Sequence, residues 1–194
     1  MRITGGKYCR QGIKAPGGLC RPTQDMVREA LFSIIGPRVC GSRFLDMFAG
    51  SGAVGLEALS RGARSVCWVE CNRRTFATLK ENAEHVCGKE KDCDSCPEMR
   101  FFLGDAITFL QKGLESRQFD LIFADPPYDR EGRKGWLSRL LRALGEGKAM
   151  SPGGIFIMEQ SSDEEMKEDG GWDLIKDRFY GNTRLGFYVR KGVQ

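Results

Sequence analysis

Apolar residues along this chain follow two spacings that alternate with one another. Continuous apolar runs of about five residues, bounded by glycine, proline or polar residues, predict buried strands. Between these runs, apolar residues recur every three or four positions, which predicts amphipathic helices. Alternating strands and helices favour an α/β fold in which a parallel sheet carries helices on both faces. The predicted strands cover residues 44–48, 65–70, 99–103, 119–124 and 155–159, and the predicted helices lie near residues 54–61, 72–86, 106–110, 137–144 and 162–168.

The N-terminal segment departs from this alternation. Residues 1–19 are rich in glycine, lysine and arginine and show little periodicity, which predicts a short strand or hairpin arm. Pro22-Thr23 is a helix start signal, and the apolar residues that follow at helical spacing continue to Gly36-Pro37. We therefore expect an arm and one amphipathic helix over residues 1–40, followed by the main domain over residues 41–194.

The C-terminal segment predicts an antiparallel pair of strands. Two extended runs, residues 172–180 and 183–190, are separated by Gly181-Asn182, a dipeptide typical of hairpin turns. Before them, Ser151-Pro152-Gly153-Gly154 predicts a turn into the fifth parallel strand. The whole pattern predicts a seven-stranded, mostly parallel, Rossmann-like sheet.

A glycine-rich turn follows the first predicted strand. Gly50, Gly52 and Gly55 separate that strand from a predicted helix, which is the setting of nucleotide-type ligand pockets. Without side chains, these glycines let a ligand approach backbone N–H groups at the start of the helix. Twenty positions after Gly50, Glu70 ends the next strand, and an acidic residue there suits the two hydroxyls of a ribose.

Asp46 argues against a dinucleotide at this turn. A dinucleotide would place its pyrophosphate over the glycines, where a nearby carboxylate would repel it. A carboxylate better suits a cationic ligand, such as the ammonium group of S-adenosylmethionine (SAM). The alternative is that Asp46 only caps a helix or stabilises the turn.

A second motif, Asp125-Pro126-Pro127-Tyr128, follows the fourth predicted strand. Ligands of open parallel sheets bind beyond the carboxyl ends of the strands, so Asp125 should face the same crevice as the glycine turn. The prolines favour extended backbone and lack N–H donors, which leaves carbonyl acceptors. Tyr128 is suited to stack on a flat heterocycle while Asp125 and the Pro126 carbonyl accept two amino hydrogens. Such contacts would aim the amine lone pair at a methyl donor, whereas the alternative is a simple loop turn.

Basic residues are concentrated near the N-terminus. Of the net charge of +4, residues 1–40 contribute +5 and the remainder −1. This distribution is typical of a protein that binds a phosphate backbone, although a solvated terminus would give a similar pattern. The candidate phosphate contacts are Arg2, Lys7, Arg10 and Arg21.

The chain has neither a bilayer-spanning run nor an apolar signal-peptide core near its start, so we expect a cytoplasmic protein without membrane contact.

Eight cysteines raise the question of disulfides or a metal site. Several lie within apolar runs, as Cys67 does, and without a secretory signal most are expected to be buried thiols. His85, Cys87, Cys93 and Cys96 lie within twelve residues in and before a polar insertion. Zinc binding by these four and a redox pair of Cys93 and Cys96 are both open alternatives. The His-x-Cys spacing is not a standard zinc arrangement, so we expect thiols and no metal.

Together these motifs resemble the family of bacterial 16S ribosomal RNA guanine-N2 methyltransferases, and the resemblance covers most of the chain. The segment near the N-terminus and Arg21-Pro22-Thr23 are particular to this family, whereas Asp-Pro-Pro-Tyr is shared with DNA amino-methyltransferases. The resemblance implies a class I methyltransferase fold with SAM as the cofactor. The matching stretches are residues 2–6, 21–23, 27–32, 46–52, 57–63, 125–128 and 180–183.

The resemblance also implies a role for each site residue. Asp46 and the glycine turn would hold the methionine part of SAM, Glu70 the ribose, and Asp105 the adenine amino group. Asp105 also follows a predicted strand at the same sheet edge, and the alternative for it is a helix cap. The basic arm would bind ribosomal RNA in the small ribosomal subunit, and we expect a monomer. The implied cofactor-binding residues are Asp46, Phe48, Ala49, Gly50, Ser51, Gly52, Glu70, Asp105 and Ala106, and the implied catalytic residues are Asp125, Pro126, Pro127 and Tyr128.

Two other functions remain open on the sequence alone. A DNA adenine-N6 or cytosine-N4 methyltransferase would share the Asp-Pro-Pro-Tyr motif, but it would need a recognition domain for which few residues remain outside the predicted core. A non-catalytic RNA-binding or ribosome-assembly protein would keep the fold, yet an intact Asp125 motif argues against it.

Overall fold

The computed structural model describes residues 1–15, 25–88, 96–112, 118–127, 135–164 and 170–192. Its helices are α1 (Asp25–Ile35), which continues into a 3₁₀ turn (Gly36–Val39), α2 (Ala53–Ser60), α3 (Arg73–Cys87), α4 (Ala106–Lys112) and α5 (Trp136–Glu146). Its strands are β1 (Arg43–Met47), β2 (Ser65–Glu70), β3 (Glu98–Leu103), β4 (Phe119–Ala124), β5 (Met150–Ser161), β6 (Trp172–Tyr180) and β7 (Thr183–Arg190).

All seven strands form one sheet in the order β3-β2-β1-β4-β5-β7-β6. The first five strands in the chain are parallel, and β7 pairs antiparallel with both β5 and β6. Gly181 adopts a positive φ of 59° in the turn between β6 and β7, a conformation that glycine reaches without steric cost. The predicted seven-stranded, mostly parallel sheet with a terminal hairpin is therefore confirmed.

Helices cover both faces of the sheet because successive residues of a strand point to opposite sides. Phe44 of β1 belongs to a buried cluster with residues of α1, α2 and α3, whereas the next residue, Leu45, belongs to a cluster with α4 and α5. The first cluster includes Leu31, Phe32, Leu56 and Leu79, and the second includes Phe109, Leu110, Leu140 and Leu141.

Two predicted boundaries near the C-terminus were wrong. The segment before residue 155 does not turn into β5, because β5 already begins at Met150 and pairs with β4 across an irregularity in register. Gly153, with φ of 72°, lies in this stretch, and a bulge uses the same residue types as a turn. Ser162 to Glu164 form a turn rather than the start of the predicted acidic helix, and residues 165–169 lie outside the described residues.

The N-terminal arm is a hairpin that packs against α2. The N–H groups of Ile3 and Arg10 donate to the carbonyls of Gln11 and Ile3, so the predicted hairpin is confirmed for residues 1–15. Every residue of α2 is buried, because the sheet covers its inner side and the arm covers its outer side. The predicted start signal of α1, Pro22-Thr23, lies outside the described residues, and α1 begins at Asp25.

The cysteines are less buried than the sequence predicts. Of the six cysteines in the described ranges, Cys67 and Cys87 are buried, Cys96 is half-buried, and the others are exposed. The expectation that most are buried is therefore wrong.

Among the helices that the structure describes, none is long and apolar enough to cross a bilayer.

Candidate active site

The two sequence motifs meet at the carboxyl ends of neighbouring strands. The strand order reverses at β1, which lies between β2 and β4. Met47 of β1 is paired with Ala124 of β4, and the Asp125 N–H lies 3.5 Å from the Met47 carbonyl oxygen. The residues that follow, here called the glycine corner (residues 48–52) and the proline corner (residues 125–127), therefore leave the sheet side by side. Such a switch point is where open α/β sheets bind ligands.

The glycine corner is a turn with left-handed backbone. Phe48, Gly50 and Gly52 have φ values of 59°, 55° and 81°, a region that favours glycine and is uncommon for phenylalanine. The Gly52 N–H donates to the Ala49 carbonyl at 2.8 Å and closes the turn. The first N–H groups of α2 thus face the edge where the strands end.

Gly55 lets α2 pack closely against β2. A β-carbon at this position would lie 2.1 Å from Trp68 Nε1, closer than any real contact. The Gly55 N–H also donates to Asp46 Oδ2 at 2.9 Å. The third glycine of the predicted motif therefore serves helix packing and holds the Asp46 side chain.

Asp46 lies beneath the corner and is almost fully buried. Burial raises its pKa well above the usual value, the hydrogen bond from Gly55 opposes that rise, and the charges of Asp125 and Glu70 add to it. The charges of Asp125, from the proline corner, and Glu70, from β2, therefore act on Asp46 of β1 at this edge. Their combined negative potential fits a cationic ligand and disfavours a pyrophosphate.

Glu70 ties the glycine corner to β2. Its Oε2 accepts a hydrogen bond from the Gly50 N–H at 3.0 Å, and its Oε1 accepts one from the Asn72 N–H at 2.7 Å. Each carboxylate oxygen can accept a second hydrogen bond. Glu70, which was predicted to bind the ribose, therefore also stabilises the turn.

Asp105 caps α4 beside this group. Its Oδ1 accepts hydrogen bonds from the Thr108 N–H at 2.9 Å and the Thr108 hydroxyl at 3.1 Å. The preceding residue, Gly104, donates its N–H to the Glu70 carbonyl at 3.0 Å, which sets Asp105 and Ala106 next to the end of β2. Asp105 therefore caps α4, which was the alternative to binding adenine. Both capping hydrogen bonds use Oδ1, so the cap does not require Oδ2.

The proline corner has few donors of its own. Asp125 is half-buried, Pro126 is buried and Pro127 is exposed. Neither proline has an N–H group, so the backbone there offers only acceptors. Tyr128 lies outside the described residues.

The sequence analysis missed an aromatic contact at this edge. The ring of Phe48 packs edge to face with Trp136, with ring centroids 5.1 Å apart. Trp136 is the first residue of α5, and its indole N–H is buried and makes no hydrogen bond within the described part of the chain. Trp136 lies at the start of an amphipathic helix, where a tryptophan is typical of the hydrophobic core. The sequence therefore gave no indication that it contacts Phe48.

The predicted RNA-binding side chains are exposed where the structure describes them. Arg2, Lys7 and Arg10 lie on the outer side of the arm, whereas Arg21 lies outside the described residues. Another cation of residues 1–40, Arg28, contributes to their net charge but is not available to a partner. Arg28 is fully buried, where it donates to Glu57 at 3.3 Å and to Asp25 at 3.0 Å.

The candidate zinc ligands on α3 point in different directions. His85 is exposed and Cys87 is buried, because residues two positions apart on α3 point in different directions. Cys93 lies outside the described residues. Within the ranges that the structure covers, no group of three or more potential metal ligands comes together.

Comparison with known proteins gives consistent matches over the full chain. A model of the protein family described as "Conserved hypothetical protein 95" matches residues 1–189. The chain is 33% identical to "Putative rRNA methyltransferase YlbH" of Bacillus subtilis, over 99% of this chain and 100% of that protein. It is 30% identical to "Ribosomal RNA small subunit methyltransferase D" of Escherichia coli, over 98% of this chain and 90% of that protein. A solved structure named "Putative methyltransferase yhhF from Escherichia coli" has a TM-score of 0.82 and 29% identity, and the match covers 100% of this chain and 99% of the other.

Proposed function

Because this chain belongs to the family described as "Conserved hypothetical protein 95", we propose that it transfers a methyl group from SAM to the exocyclic N2 amine of a guanine in 16S ribosomal RNA. Relatives named as ribosomal RNA methyltransferases support this proposal. The observation that carries it is the shared sheet edge, where the glycine corner and the proline corner follow the paired residues Met47 and Ala124.

The residues at the glycine corner fit SAM. The cofactor supplies a methyl group bound to a positively charged sulfur, and its amino acid part carries an ammonium group. The buried carboxyl of Asp46, with Asp125 and Glu70 nearby, favours such a cation. Glu70 retains acceptor capacity for ribose hydroxyls, and Asp105 Oδ2 for an adenine amine. The residues that would surround the cofactor are Asp46, Phe48, Ala49, Gly50, Ser51, Gly52, Glu70, Asp105 and Ala106.

The proline corner would hold the guanine. The Asp125 carboxylate and the Pro126 carbonyl accept the two hydrogens of the N2 amine, which directs the nitrogen lone pair towards the glycine corner. Asp125 also stabilises the positive charge that develops on the nitrogen before its proton is released. Pro127 stiffens the corner, and Tyr128 supplies a ring on which the base can stack.

The arm would supply the RNA contact. Arg2, Lys7 and Arg10 are exposed on one hairpin, and Arg21 extends the basic segment. Cations placed in this way favour the phosphate backbone of RNA in the small ribosomal subunit. The protein would act as a monomer.

A methyl transfer assay tests this function. Purified protein is incubated with labelled SAM and either deproteinised 16S ribosomal RNA or small subunits that lack the modification, and the RNA is then digested for mass spectrometry. We expect N2-methylguanosine at one position, and a loss of at least about a hundredfold in rate for Asp125→Ala, since electrostatic contacts of this kind contribute about that much.

Absence of label from both RNA substrates would refute the proposal. A preference for duplex DNA with N6-methyladenine or N4-methylcytosine as product would instead establish a DNA amino-methyltransferase. Wild-type levels of modification by Asp125→Ala would show that the proline corner does not take part in the reaction.

A further inference from the structure

Asn82 is a buried polar residue on the apolar side of α3. Leu79, Ala83 and Val86 share that side and are also buried. A buried carboxamide is costly unless its donors and acceptor all find partners. The contacts of Asn82 therefore indicate why a polar residue occupies this position.

Asn82 bonds to two separate parts of the chain. Its Oδ1 accepts from the Lys14 N–H at 2.9 Å, and its Nδ2 donates to the Lys14 carbonyl at 3.0 Å. The same Nδ2 donates to the Ser51 carbonyl at 2.9 Å. One side chain thus uses both of its N–H hydrogens and its oxygen to join the arm to the glycine corner.

The two attachment points lie at positions where backbone direction matters. Ser51 stands between Gly50 and Gly52, both with positive φ. Because glycine backbone can adopt many conformations, the hydrogen bond from Asn82 helps to fix the direction of the Ser51 carbonyl. On the arm, Lys14 also forms an ion pair with Glu81 at 3.0 Å, but both side chains are largely exposed. Water screens exposed ion pairs, which contribute little to stability, so the position of Lys14 depends mainly on Asn82.

We propose that Asn82 is a positioning residue that couples the glycine corner to the arm. A ligand that stabilises the corner fixes the Ser51 carbonyl, which fixes the Asn82 side chain and through it the backbone of Lys14. SAM bound at the glycine corner would thereby raise the affinity of the arm for RNA. Because such coupling is reciprocal, RNA bound to the arm would raise the affinity of the glycine corner for SAM by the same factor. This inference rests on the proposed function, since it assigns SAM to the corner and RNA to the arm.

Amide hydrogen exchange tests the coupling without a methyl transfer reaction. Exchange is measured for residues 3–14 by mass spectrometry, with and without saturating S-adenosylhomocysteine (SAH), the demethylated product. In the wild-type protein, SAH is expected to slow exchange in this segment about fivefold, the lower end of typical coupling between sites. In Asn82→Ala this slowing should disappear, because the hydrogen bonds that join the arm to the glycine corner through Asn82 are lost.

Two further variants separate coupling from simple loss of stability. Asn82→Asp keeps the shape and the acceptor for the Lys14 N–H but replaces both donors, so the slowing should disappear there as well. Glu81→Ala is the matched control on the same helix, since it removes the exposed contact to Lys14 and leaves Asn82 intact. Slowing by SAH should persist in Glu81→Ala. If Asn82→Ala does not fold, Asn82→Asp and the wild-type comparison decide the question.

The outcomes distinguish this inference from the proposed function. SAH that binds the wild-type protein without slowing exchange in the arm would overturn the coupling and leave the methyltransferase proposal intact. Slowing that persists in a folded Asn82 variant would do the same. No calorimetric binding of SAH to the wild-type protein would overturn both.

Discussion

Asp46 lies in an environment that is unfavourable to its own charge. Burial, followed by the charges of Asp125 and Glu70, raises its pKa above the usual value despite the hydrogen bond from Gly55. An acid whose pKa is raised by folding binds its proton more tightly in the native state, so its contribution to stability falls as pH rises through that pKa. A cation bound at the corner would relieve this effect.

Asp46→Asn should therefore separate stability from binding. The amide oxygen can still accept the Gly55 N–H, and the variant no longer buries a charge. We expect the free energy of unfolding at pH 7 to stay equal or rise by about 1 kcal/mol, while the affinity for SAH falls at least about tenfold. Thermal unfolding and calorimetric titration measure the two effects. A variant that loses stability and keeps its affinity would contradict this assignment of Asp46.

The affinity for SAH should also depend on pH. Only ionised Asp46 attracts a cation, so affinity is expected to fall as pH decreases below the raised pKa, by up to about tenfold per pH unit. The calorimetric affinity of the wild-type protein between pH 8 and about pH 4, where ordinary carboxylates begin to protonate, gives the measurement.

Asp120 provides an internal contrast for that titration. Its partial burial opposes ionisation, but hydrogen bonds from Arg43 and Ser151 lower its pKa to about 2. Asp120 therefore stays ionised over the whole range, and Asp120→Asn should leave the shape of the pH profile unchanged. A flat profile for the wild-type protein would show that Asp46 does not titrate with ligand binding.

At the scale of elements, α2 connects the glycine corner, the sheet and the arm. Its first turn contains Gly55, which packs on Trp68 of β2, and its last turns carry Glu57 and Ser60, which bond to the arm. A shift of this helix would therefore move both the corner and the arm.

Gly55→Ala should produce such a shift. The added β-carbon meets the Trp68 indole at 2.1 Å, and overpacking of this kind lowers stability by about 1 to 3 kcal/mol. We also expect weaker SAH binding. Trp68→Ala removes the indole and leaves Val66 Cγ1, at 2.8 Å, close to the added carbon, so the double variant should lose less stability than the sum of the two single variants. Additive losses in chemical denaturation would show that this contact does not set the position of α2.

Glu57→Gln should release the arm. Glu57 is fully buried and accepts hydrogen bonds from Thr4, Arg28 and Arg61. Removing its charge leaves Arg28 buried with Asp25 as its remaining acid, and breaking a buried pair costs about 3 to 5 kcal/mol. Denaturant unfolding measures the loss, and limited proteolysis should cut the arm first. Glu81→Ala, which breaks only an exposed pair, should have almost no effect.

The sequence predicted elements well and long-range partners poorly. The bounds of β4, residues 119–124, were correct because its apolar run and the motif behind it are both local signals. Arg28 entered the sequence analysis only as part of the net charge of residues 1–40, because nothing local indicates its buried partner Glu57, which lies 29 positions further on. Asn82 did carry a signal, since a polar residue at helical spacing with Leu79 and Val86 must be buried with a partner. That partner, Lys14, is 68 positions away, so the pattern alone could not identify it.

At the scale of the whole molecule, positive charge is separated from the site that would bind the cofactor. The arm carries exposed cations, whereas Asp46, Glu70 and Asp125 gather at the sheet edge. An RNA backbone and a cationic cofactor can thus be attracted to different parts of one surface.

Replacing Arg2, Lys7 and Arg10 together by glutamine should weaken RNA binding uniformly. If each cation neutralises one phosphate, the slope of log K against log salt should become about 2 units less negative, at about 0.7 per phosphate for single strands. Filter binding to deproteinised 16S ribosomal RNA at several salt concentrations measures this slope. The affinity for SAH in the absence of RNA should not change, because these side chains are exposed on the arm, whereas Asp46 is buried at the sheet edge. An unchanged slope would show that the arm does not contact phosphates.

The attachment of the arm also constrains how the protein is made. Residues 1–15 are synthesised before the groups that hold them, Glu57, Ser60 and Asn82, which follow more than 40 residues later. The hairpin must therefore wait, unanchored, until α2 and α3 have emerged and packed on the sheet. The arm is thus translated before its partners but reaches its native place after them, so the surface that would meet RNA is completed only after the glycine corner exists.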